Sequence, residues 1–182
     1  MASPLYAVVA YVRNPVGQFI EDLRHELYPE HSHLGAHITV LPPRPLLGTE
    51  EQALALLESV CATTDPFEVG LGEVETFVPI TPTVFIHVVH AAYRMRELHD
   101  RLNVAPLGSS EQWPYMPHLT IVKMDSVDDA QTALQDTRER WKAYRDTRRI
   151  LVDQLTFVRE DAFNRWVDLA PVPLGRHLVS KL

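Results

Sequence analysis

The chain has 182 residues, of which 46% are hydrophobic and 23% charged, and its formal net charge is -7. This composition is typical of one globular domain with a sizeable core, and it excludes a disordered or low-complexity chain. The acidic balance argues against a protein that coats long RNA or DNA, because such binding needs a basic stripe that neutralises phosphates. Binding of one nucleotide or a strand end stays open, since a few placed groups suffice for it.

The sequence also indicates where the protein acts. Its one cysteine, Cys61, rules out an internal disulfide, and the apolar helical pattern around it predicts a small core residue. The first residues lack the basic and apolar regions of a secretion signal, and no apolar run approaches the ~20 residues of a membrane span. We therefore expect a cytoplasmic protein that has no membrane partner and works as a monomer.

The first half of the chain alternates apolar runs of strand length with amphipathic helical periods. In chain order these predict a strand over 5–12, a helix over 16–28, a strand over 36–41, a helix over 50–61 and a bent strand over 67–77. Thr49 and Gln52 form a capping box at the start of the second helix. Pro42-Pro43 is expected to close the second strand, and two glycines predict a bulge in the third.

The second half repeats this order. It predicts strands over 83–89, 118–123, 150–158 and 165–169, and helices over 91–102 and 127–144. Equivalent points in the two halves are separated by nearly half the chain, which indicates an internal duplication with pseudo-two-fold symmetry. We therefore predict a single two-lobed domain over 1–182, with repeats at roughly 5–78 and 83–170 and a boundary near 79–82.

Two predicted strands, one in each half, begin with the same motif. The motifs are His37-Ile38-Thr39 and His118-Leu119-Thr120, and each is followed by another apolar residue. Because side chains alternate between the faces of a strand, each histidine points the same way as its threonine, while the apolar residues point to the other face. One such triplet arises easily by chance, but two triplets that both have apolar residues at the neighbouring strand positions do not. The pair therefore predicts one polar patch of two histidines and two threonines.

This patch suits the in-line cleavage of a phosphodiester, which needs one proton removed from the attacking oxygen and one delivered to the leaving oxygen. Imidazole titrates near neutrality, so a neutral and a protonated histidine can do both, without a metal or cofactor. Threonine hydroxyls can bind the non-bridging phosphate oxygens. We predict His37 and His118 as the catalytic acid–base pair and Thr39 and Thr120 as phosphate-binding residues. Threonines on a solvated strand face are the alternative.

The paired motifs, with Tyr115-Met116-Pro117 leading into the second, resemble the signatures of the 2H phosphoesterase superfamily. That group contains the 2′-5′ RNA ligase-like proteins and the RNA 2′,3′-cyclic phosphodiesterases. The resemblance implies an α+β, two-lobed fold of pseudo-two-fold duplicated strand–helix units, with mostly antiparallel sheets lining a central cleft. It also implies metal-independent opening of a cyclic phosphate, or cleavage of a 2′-5′ linkage, in a nucleotide, another small cyclic phosphate or an RNA end. The same residues would serve a ligase running in reverse.

Three further residues are candidate substrate contacts. Lys123 and Arg44 would bring positive charge to a phosphate, and Tyr115 would stack on a base. Solvated surface, for the two cations, and core packing, for the tyrosine, are equally compatible with the sequence. Strict alternation points Lys123 away from the face that carries His118.

The remaining histidines raise two alternatives. His31, His33 and His37 lie close enough in sequence to suggest a metal site, but we favour a polar loop, because the spacing lacks a helical period. His87 shares a strand face with Phe85, which favours a core histidine over one in the cleft. The competing functions are a non-catalytic module that holds a phosphorylated ligand in the same cleft, and a general RNA-binding protein, which the charge disfavours.

Overall fold

A computed structural model describes residues 3–31, 35–162 and 164–175 of the protein. The described residues form eight strands, β1 (Tyr6–Tyr11), β2 (His37–Arg44), β3 (Phe67–Thr76), β4 (Thr83–His90), β5 (His118–Lys123), β6 (Arg149–Val152), β7 (Gln154–Ala162) and β8 (Arg165–Pro173). The helices are α1 (Pro15–Leu27), α2 (Glu50–Ala62), α3 (Ala92–Leu102) and α4 (Val127–Ala143), with a 3-10 turn at Pro29–His31. None of the described helices is long and apolar enough to span a membrane.

The helix starts follow the capping signals in the sequence. Thr49 and Gln52 make both bonds of the predicted capping box at the start of α2. The Asn14 side chain caps α1, and the Ser126 side chain caps α4 by accepting from the Asp129 amide. Cys61 is buried on α2, which confirms its prediction as a core residue.

All eight strands join one curled antiparallel sheet in the order β6-β3-β4-β5-β2-β1-β7-β8. The predicted α+β class with antiparallel strands is thereby confirmed. The two strands that carry the His-x-Thr motifs, β2 and β5, are neighbours at its centre, and four strands lie on either side of the line between them. This arrangement brings the two motifs together.

Each side of the sheet contains elements from both halves of the sequence. Helix α1, which follows β1, packs behind β5, and helix α3, which follows β4, packs behind β2. Strand β3 comes from the first half of the sequence but pairs with β4, and β7 comes from the second half but pairs with β1. The division into repeats at 5–78 and 83–170 stays a prediction.

Three boundary predictions are wrong. The strand predicted over 165–169 continues to Pro173 as β8. Strand β2 continues through Pro42 and Pro43 to Arg44, because the register shifts there and a bulge accommodates residues that cannot donate to the ladder. The single strand predicted over 150–158 is two strands, interrupted at Asp153. Strand β6 pairs with β3 and β7 with β1, so the chain crosses from one side of the sheet to the other at this point. The bulge predicted in β3 is confirmed by its register shifts against β4.

Candidate active site

The two His-x-Thr motifs lie side by side at the centre of the sheet. Among the described residues, β2 and β5 pair at one position, where Ile38 lies opposite Leu119. These two apolar side chains are fully buried among the helices. The histidine and threonine of each motif are half-buried on the opposite face, as strand alternation predicts.

Each motif strand bulges directly after its threonine. In β2, Thr39 lies opposite Val9 and Leu41 opposite Val8, which leaves Val40 as the extra residue. In β5, Thr120 lies opposite Phe85 and Val122 opposite Val84, which leaves Ile121 as the extra residue. The two bulges therefore fall at the same, fourth position of each motif. A bulge bends its strand and changes the direction of the backbone groups beside it.

Both imidazoles are held in the same tautomer. The Nδ1–H group of His37 donates to the carbonyl oxygen of Gly35 at 2.7 Å, and that of His118 donates to the carbonyl oxygen of Met116 at 2.8 Å. A carbonyl can only accept, so the ring proton of the neutral form is on Nδ1. The Nε2 atom of each ring is therefore the atom that can exchange a proton with a substrate.

The surroundings of both rings favour the neutral form. Burial lowers the pKa of His37 below its ordinary value, the bond to Gly35 opposes this, and the charges of Arg24 and His118 lower it further. Burial likewise lowers the pKa of His118, the bond to Met116 opposes it, and His87 adds a smaller lowering. The charge of His118 is thus among the causes that lower the pKa of His37, which agrees with the position of the two motifs on neighbouring strands.

The two rings have different neighbours. The ring of Tyr11 meets His37 edge-on at 6.3 Å between centroids, and the Tyr11 hydroxyl donates to Asp168 at 2.6 Å. On the other side, His87 pairs with His118 across β4 and β5, and its Nδ1 lies 3.7 Å from a carboxylate oxygen of Glu75. His87 therefore lies beside His118 on the face that carries the motifs, and its side chain is 29% exposed and not buried as a core histidine would be.

His118 also lies against two phenylalanines. The rings of Phe77 and Phe85 stack on each other, and the centroid of each lies 5.2 Å from that of His118 with the rings steeply inclined. This packing fixes the orientation of the His118 ring from one side. It also accounts for the burial that lowers the pKa of His118.

A cavity of about 500 Å³ opens beside the motifs. His37 and Thr120 line it, together with Lys123 and with Trp166 from β8. The bulge at Ile121 explains the position of Lys123, because one extra residue reverses the alternation and turns Lys123 to the face from which strict alternation excluded it. Lys123 therefore lines the same cavity as His37 and Thr120, whereas His118 and Thr39 are not among the residues that line it.

Arg44 is not placed as predicted. Its side chain is 3% exposed and donates to the carbonyl oxygens of Pro42 and Leu107, to the Asn103 side chain and to Glu111. Arg44 lies opposite Tyr6, on the face that carries Ile38, because the two register shifts in β2 cancel and leave it on the face that strict alternation gives it. Arg44 ties the segment after α3 to β2, which corrects its assignment as a substrate contact.

Tyr115 makes structural contacts to both α3 and β2. Its ring stacks on His99 with 4.3 Å between centroids and an interplanar angle of 6°, and its hydroxyl donates to the carbonyl oxygen of Thr39 at 2.8 Å. His99 is buried on α3, where it bonds to Asp100 and Glu111. These contacts occupy one face of the Tyr115 ring and its hydroxyl, and stacking of the ring on a base stays a prediction.

The metal alternative gains no support from the described part of the chain. No group of three or more His, Cys, Asp or Glu side chains is placed there to hold a metal ion. Of the alternative site of His31, His33 and His37, His33 lies outside the described residues.

Comparisons with known proteins agree with this geometry. Residues 12–163 match the model of the 2'-5' RNA ligase superfamily. A protein of Halalkalibacterium halodurans named "Putative phosphoesterase BH1439" is 26% identical over 176 residues, covering 94% of this chain and 98% of the relative. A similarly named protein of Oceanobacillus iheyensis is 23% identical over 122 residues, covering 65% of this chain and 69% of the relative.

Solved structures share the fold. The crystal structure of E. coli LigT complexed with NADP+ covers 96% of this chain and 99% of its own, with a TM-score of 0.61 and 15% identity. The crystal structure of TT0787 of Thermus thermophilus covers 95% of this chain and 100% of its own, with a TM-score of 0.60 and 16% identity. The match to the family model covers most of the chain, and the protein therefore belongs to the 2'-5' RNA ligase superfamily. The expected class of enzyme, a phosphoesterase, is confirmed with it.

Proposed function

We propose that this phosphoesterase is a metal-independent phosphodiesterase that hydrolyses the 2′,3′-cyclic phosphates of nucleotides or RNA ends, or 2′-5′ linkages. The observation that carries the proposal is the matched pair of imidazoles. His37 and His118 stand on adjacent strands, and each offers its Nε2 atom because its Nδ1–H group is bound to a carbonyl. Two such nitrogens can take one proton and give another in a single displacement.

The proposed reaction needs both histidines in different protonation states. The neutral imidazole accepts a proton from water as the water oxygen attacks phosphorus. The imidazolium gives its Nε2 proton to the ribose oxygen as the bond from phosphorus to that oxygen breaks, and the product is a phosphomonoester. After the reaction the base is an imidazolium and the acid is a neutral imidazole. Proton exchange with solvent returns both rings to their starting protonation states.

The threonines and Lys123 complete the proposed site. The Thr39 and Thr120 hydroxyls donate to the non-bridging oxygens and hold the phosphorus between the rings. Lys123 lines the cavity with His37 and Thr120, and its ammonium supplies positive charge to the phosphate. No cofactor is part of this scheme.

A nucleotide or an RNA end is the proposed substrate. Structures of the E. coli relative are described as complexed with NADP+, with ATP and with 3'-AMP, so that protein binds adenine nucleotides. A cavity of about 500 Å³ has the size of a small-molecule site. The net charge of -7 argues for contact with one end of a strand and not with a long stretch of it. A monomer in the cytoplasm is part of the same proposal.

The test is hydrolysis of nucleoside 2′,3′-cyclic monophosphates in excess chelator. We expect turnover by the wild-type protein, and a loss of about 10²- to 10⁴-fold in kcat for His37→Ala and for His118→Ala. Full activity in either variant contradicts the acid–base assignment. Activity that chelator removes contradicts metal independence, and binding without turnover supports the non-catalytic module instead.

A further inference from the structure

The carbonyl groups of the two motif threonines each accept a hydrogen bond from a side chain in the other half of the sequence. The Thr39 carbonyl on β2 accepts from the hydroxyl of Tyr115, which directly precedes β5 in the chain. The Thr120 carbonyl on β5 accepts from Nη2 of Arg24 at 2.9 Å, and Arg24 belongs to α1, which comes before β2 in the chain with the 3-10 turn between them. These bonds are therefore reciprocal, one from each half to the other.

The bulges explain why these carbonyls need side-chain partners. In a regular antiparallel pair the strands bond to each other along their length, but β2 and β5 meet at Ile38 and Leu119 alone among the described residues. Beyond that point the strands diverge, and a buried carbonyl without a partner is unfavourable. Arg24 supplies a donor to the Thr120 carbonyl, and Tyr115 supplies a donor to the Thr39 carbonyl.

Arg24 makes the more extensive of the two contacts. Its Nε donates to the Ile121 carbonyl at 2.8 Å in addition to the bond from Nη2 to Thr120, so one guanidinium holds both residues of the bulge. The side chain is 5% exposed, and it lines the same cavity as His37 and Thr120. Hydrogen bonds from a charged donor are about twice as strong as neutral ones, and the planar fork fixes the direction of both acceptors.

From these contacts we infer that Arg24 and Tyr115 are positioning residues for the reaction, a reciprocal clamp that sets the spacing and inclination of the two His-x-Thr strands. The inference rests on the proposed function for its kinetic part. Neither residue exchanges a proton or forms a bond in the reaction; each acts through the strand that it holds. The clamp fixes Thr39 and Thr120 through their own backbone, and it fixes His37 and His118 two residues away.

Arg24 also acts electrostatically, because its charge is one of the causes that lower the pKa of His37. The titratable and charged groups near the two histidines and the cavity come from six elements and two flanking segments. They are Glu21 and Arg24 on α1, Tyr28 after α1, Tyr11 on β1, His118 and Lys123 on β5, Asp125 after β5, His87 on β4, Glu160 on β7, and Asp168 on β8. Arg24 differs from the histidines because its charge is permanent. Removal of that charge is expected to move the pKa of His37 upward.

The first measurement compares Arg24→Gln with Arg138→Gln. Arg138 is a matched control, because its Nε joins helix α4 to the Val74 carbonyl on β3, away from the motifs. With saturating 2′,3′-cyclic nucleotide, we expect kcat of Arg24→Gln to fall about 10²-fold, the loss typical of a small misplacement of reacting groups, with KM changed much less. Arg138→Gln is expected to keep the wild-type kcat. Equal values of kcat in the two variants, per folded molecule, overturn the inference.

The conservative variants separate charge from geometry. Arg24→Lys keeps the charge but loses the fork, so we expect a low kcat with an unshifted His37 titration. Tyr115→Phe removes one neutral hydrogen bond and is expected to lower kcat about fivefold, whereas Tyr6→Phe, which removes a hydroxyl bond to Glu50, leaves it unchanged. Wild-type kcat in Arg24→Lys overturns the positioning role even if Arg24→Gln fails to fold.

The second measurement needs no turnover, so it stands if the proposed function fails. NMR titration of the His37 ring in the free protein is expected to give a higher pKa in Arg24→Gln than in the wild type, Arg24→Lys or Arg138→Gln. An unchanged His37 titration in Arg24→Gln overturns the electrostatic part of the clamp. A wild-type protein inactive on every cyclic phosphate, with this shift present, contradicts the proposed function alone.

Discussion

The two half-sites of this protein have the same backbone and different neighbours. Each has a His-x-Thr strand, an Nδ1–H bond to the carbonyl two residues before the histidine, and a bulge at the fourth position. Beside His37, however, lie Tyr11 and the permanent charge of Arg24, whereas beside His118 lie two phenylalanines and His87.

The comparison teaches that a near-symmetric backbone need not give the two histidines the same chemistry. Protonation of His37 is opposed by a cation that persists at every working pH. The neighbour of His118 is charged only when it is protonated, and the Glu75 carboxylate 3.7 Å from His87 offsets that charge. We therefore expect His37 to be the base and His118 the acid in the proposed reaction.

The largest effect that tests this comparison is a change of leaving group. With a cyclic phosphate, His37→Gln and His118→Gln are each expected to lose about 10²- to 10⁴-fold in kcat. With a phosphodiester whose leaving group is p-nitrophenolate, the departing oxygen needs no proton, so His118→Gln should recover to within about tenfold of the wild type. His37→Gln should not recover. The reverse pattern would exchange the two roles, and equal defects would contradict the asymmetry.

A smaller effect is expected at the threonines. Thr39→Val and Thr120→Val keep the shape of the side chain but remove a proposed donor to the phosphate oxygens. Loss of one preorganised donor lowers kcat by about 10²-fold, and the two variants should be affected alike because the backbone is shared. Steady-state kinetics with Thr132→Val, an exposed position on α4, provides the control. Wild-type kcat in both motif variants would remove the threonines from the mechanism.

The smallest effect is on stability. The pKa values of His37 and His118 are lowered in the folded protein, so below the ordinary histidine range the unfolded chain binds more protons than the native one. The contribution of these histidines to the free energy of unfolding is therefore fully present above about pH 6.5 and is lost as the pH falls below that value. The loss is about 1.4 kcal/mol for each unit by which the pKa differs between the folded and the unfolded state. Urea titrations between pH 5 and 8, chosen to span the histidine range of about 6.5, would measure this slope. His37→Gln and His118→Gln should each flatten it, and an unchanged slope in both would contradict the lowered pKa values.

The sequence predicted the elements that depend on local pattern. Helix caps, the apolar strand faces and the paired motifs are visible within a few residues, and the structure places them where they were expected. The bulges at Val40 and Ile121 were not predicted, because nothing in an apolar run shows that one residue lacks a partner across the sheet. This omission reversed the expected direction of Lys123. Arg44 was a candidate because of its charge and its nearness to the first motif in sequence, although its side chain is buried against the helices.

The sequence contains a signal for the structural role of Arg24, which the predictions above did not use. It follows Ile20 by four residues and Leu23 by one, which places a charged side chain on the buried face of an amphipathic helix. A cation on such a face needs a partner, and here the partners are strand carbonyls far away in sequence. The sequence reveals the need for a partner, but only the packing of α1 behind β5 identifies it.

The exchange of strands across the sheet bears on how the chain could be divided. A cut in the turn between β3 and β4 would leave one fragment with β3 but without its partner β4, and another with β7 but without its partner β1. Neither fragment could complete a sheet by itself, whereas the two together would contain every pairing of the intact molecule. Such a nick would create a heterodimer of two fragments, held together by hydrogen bonds between strands of one fragment and strands of the other.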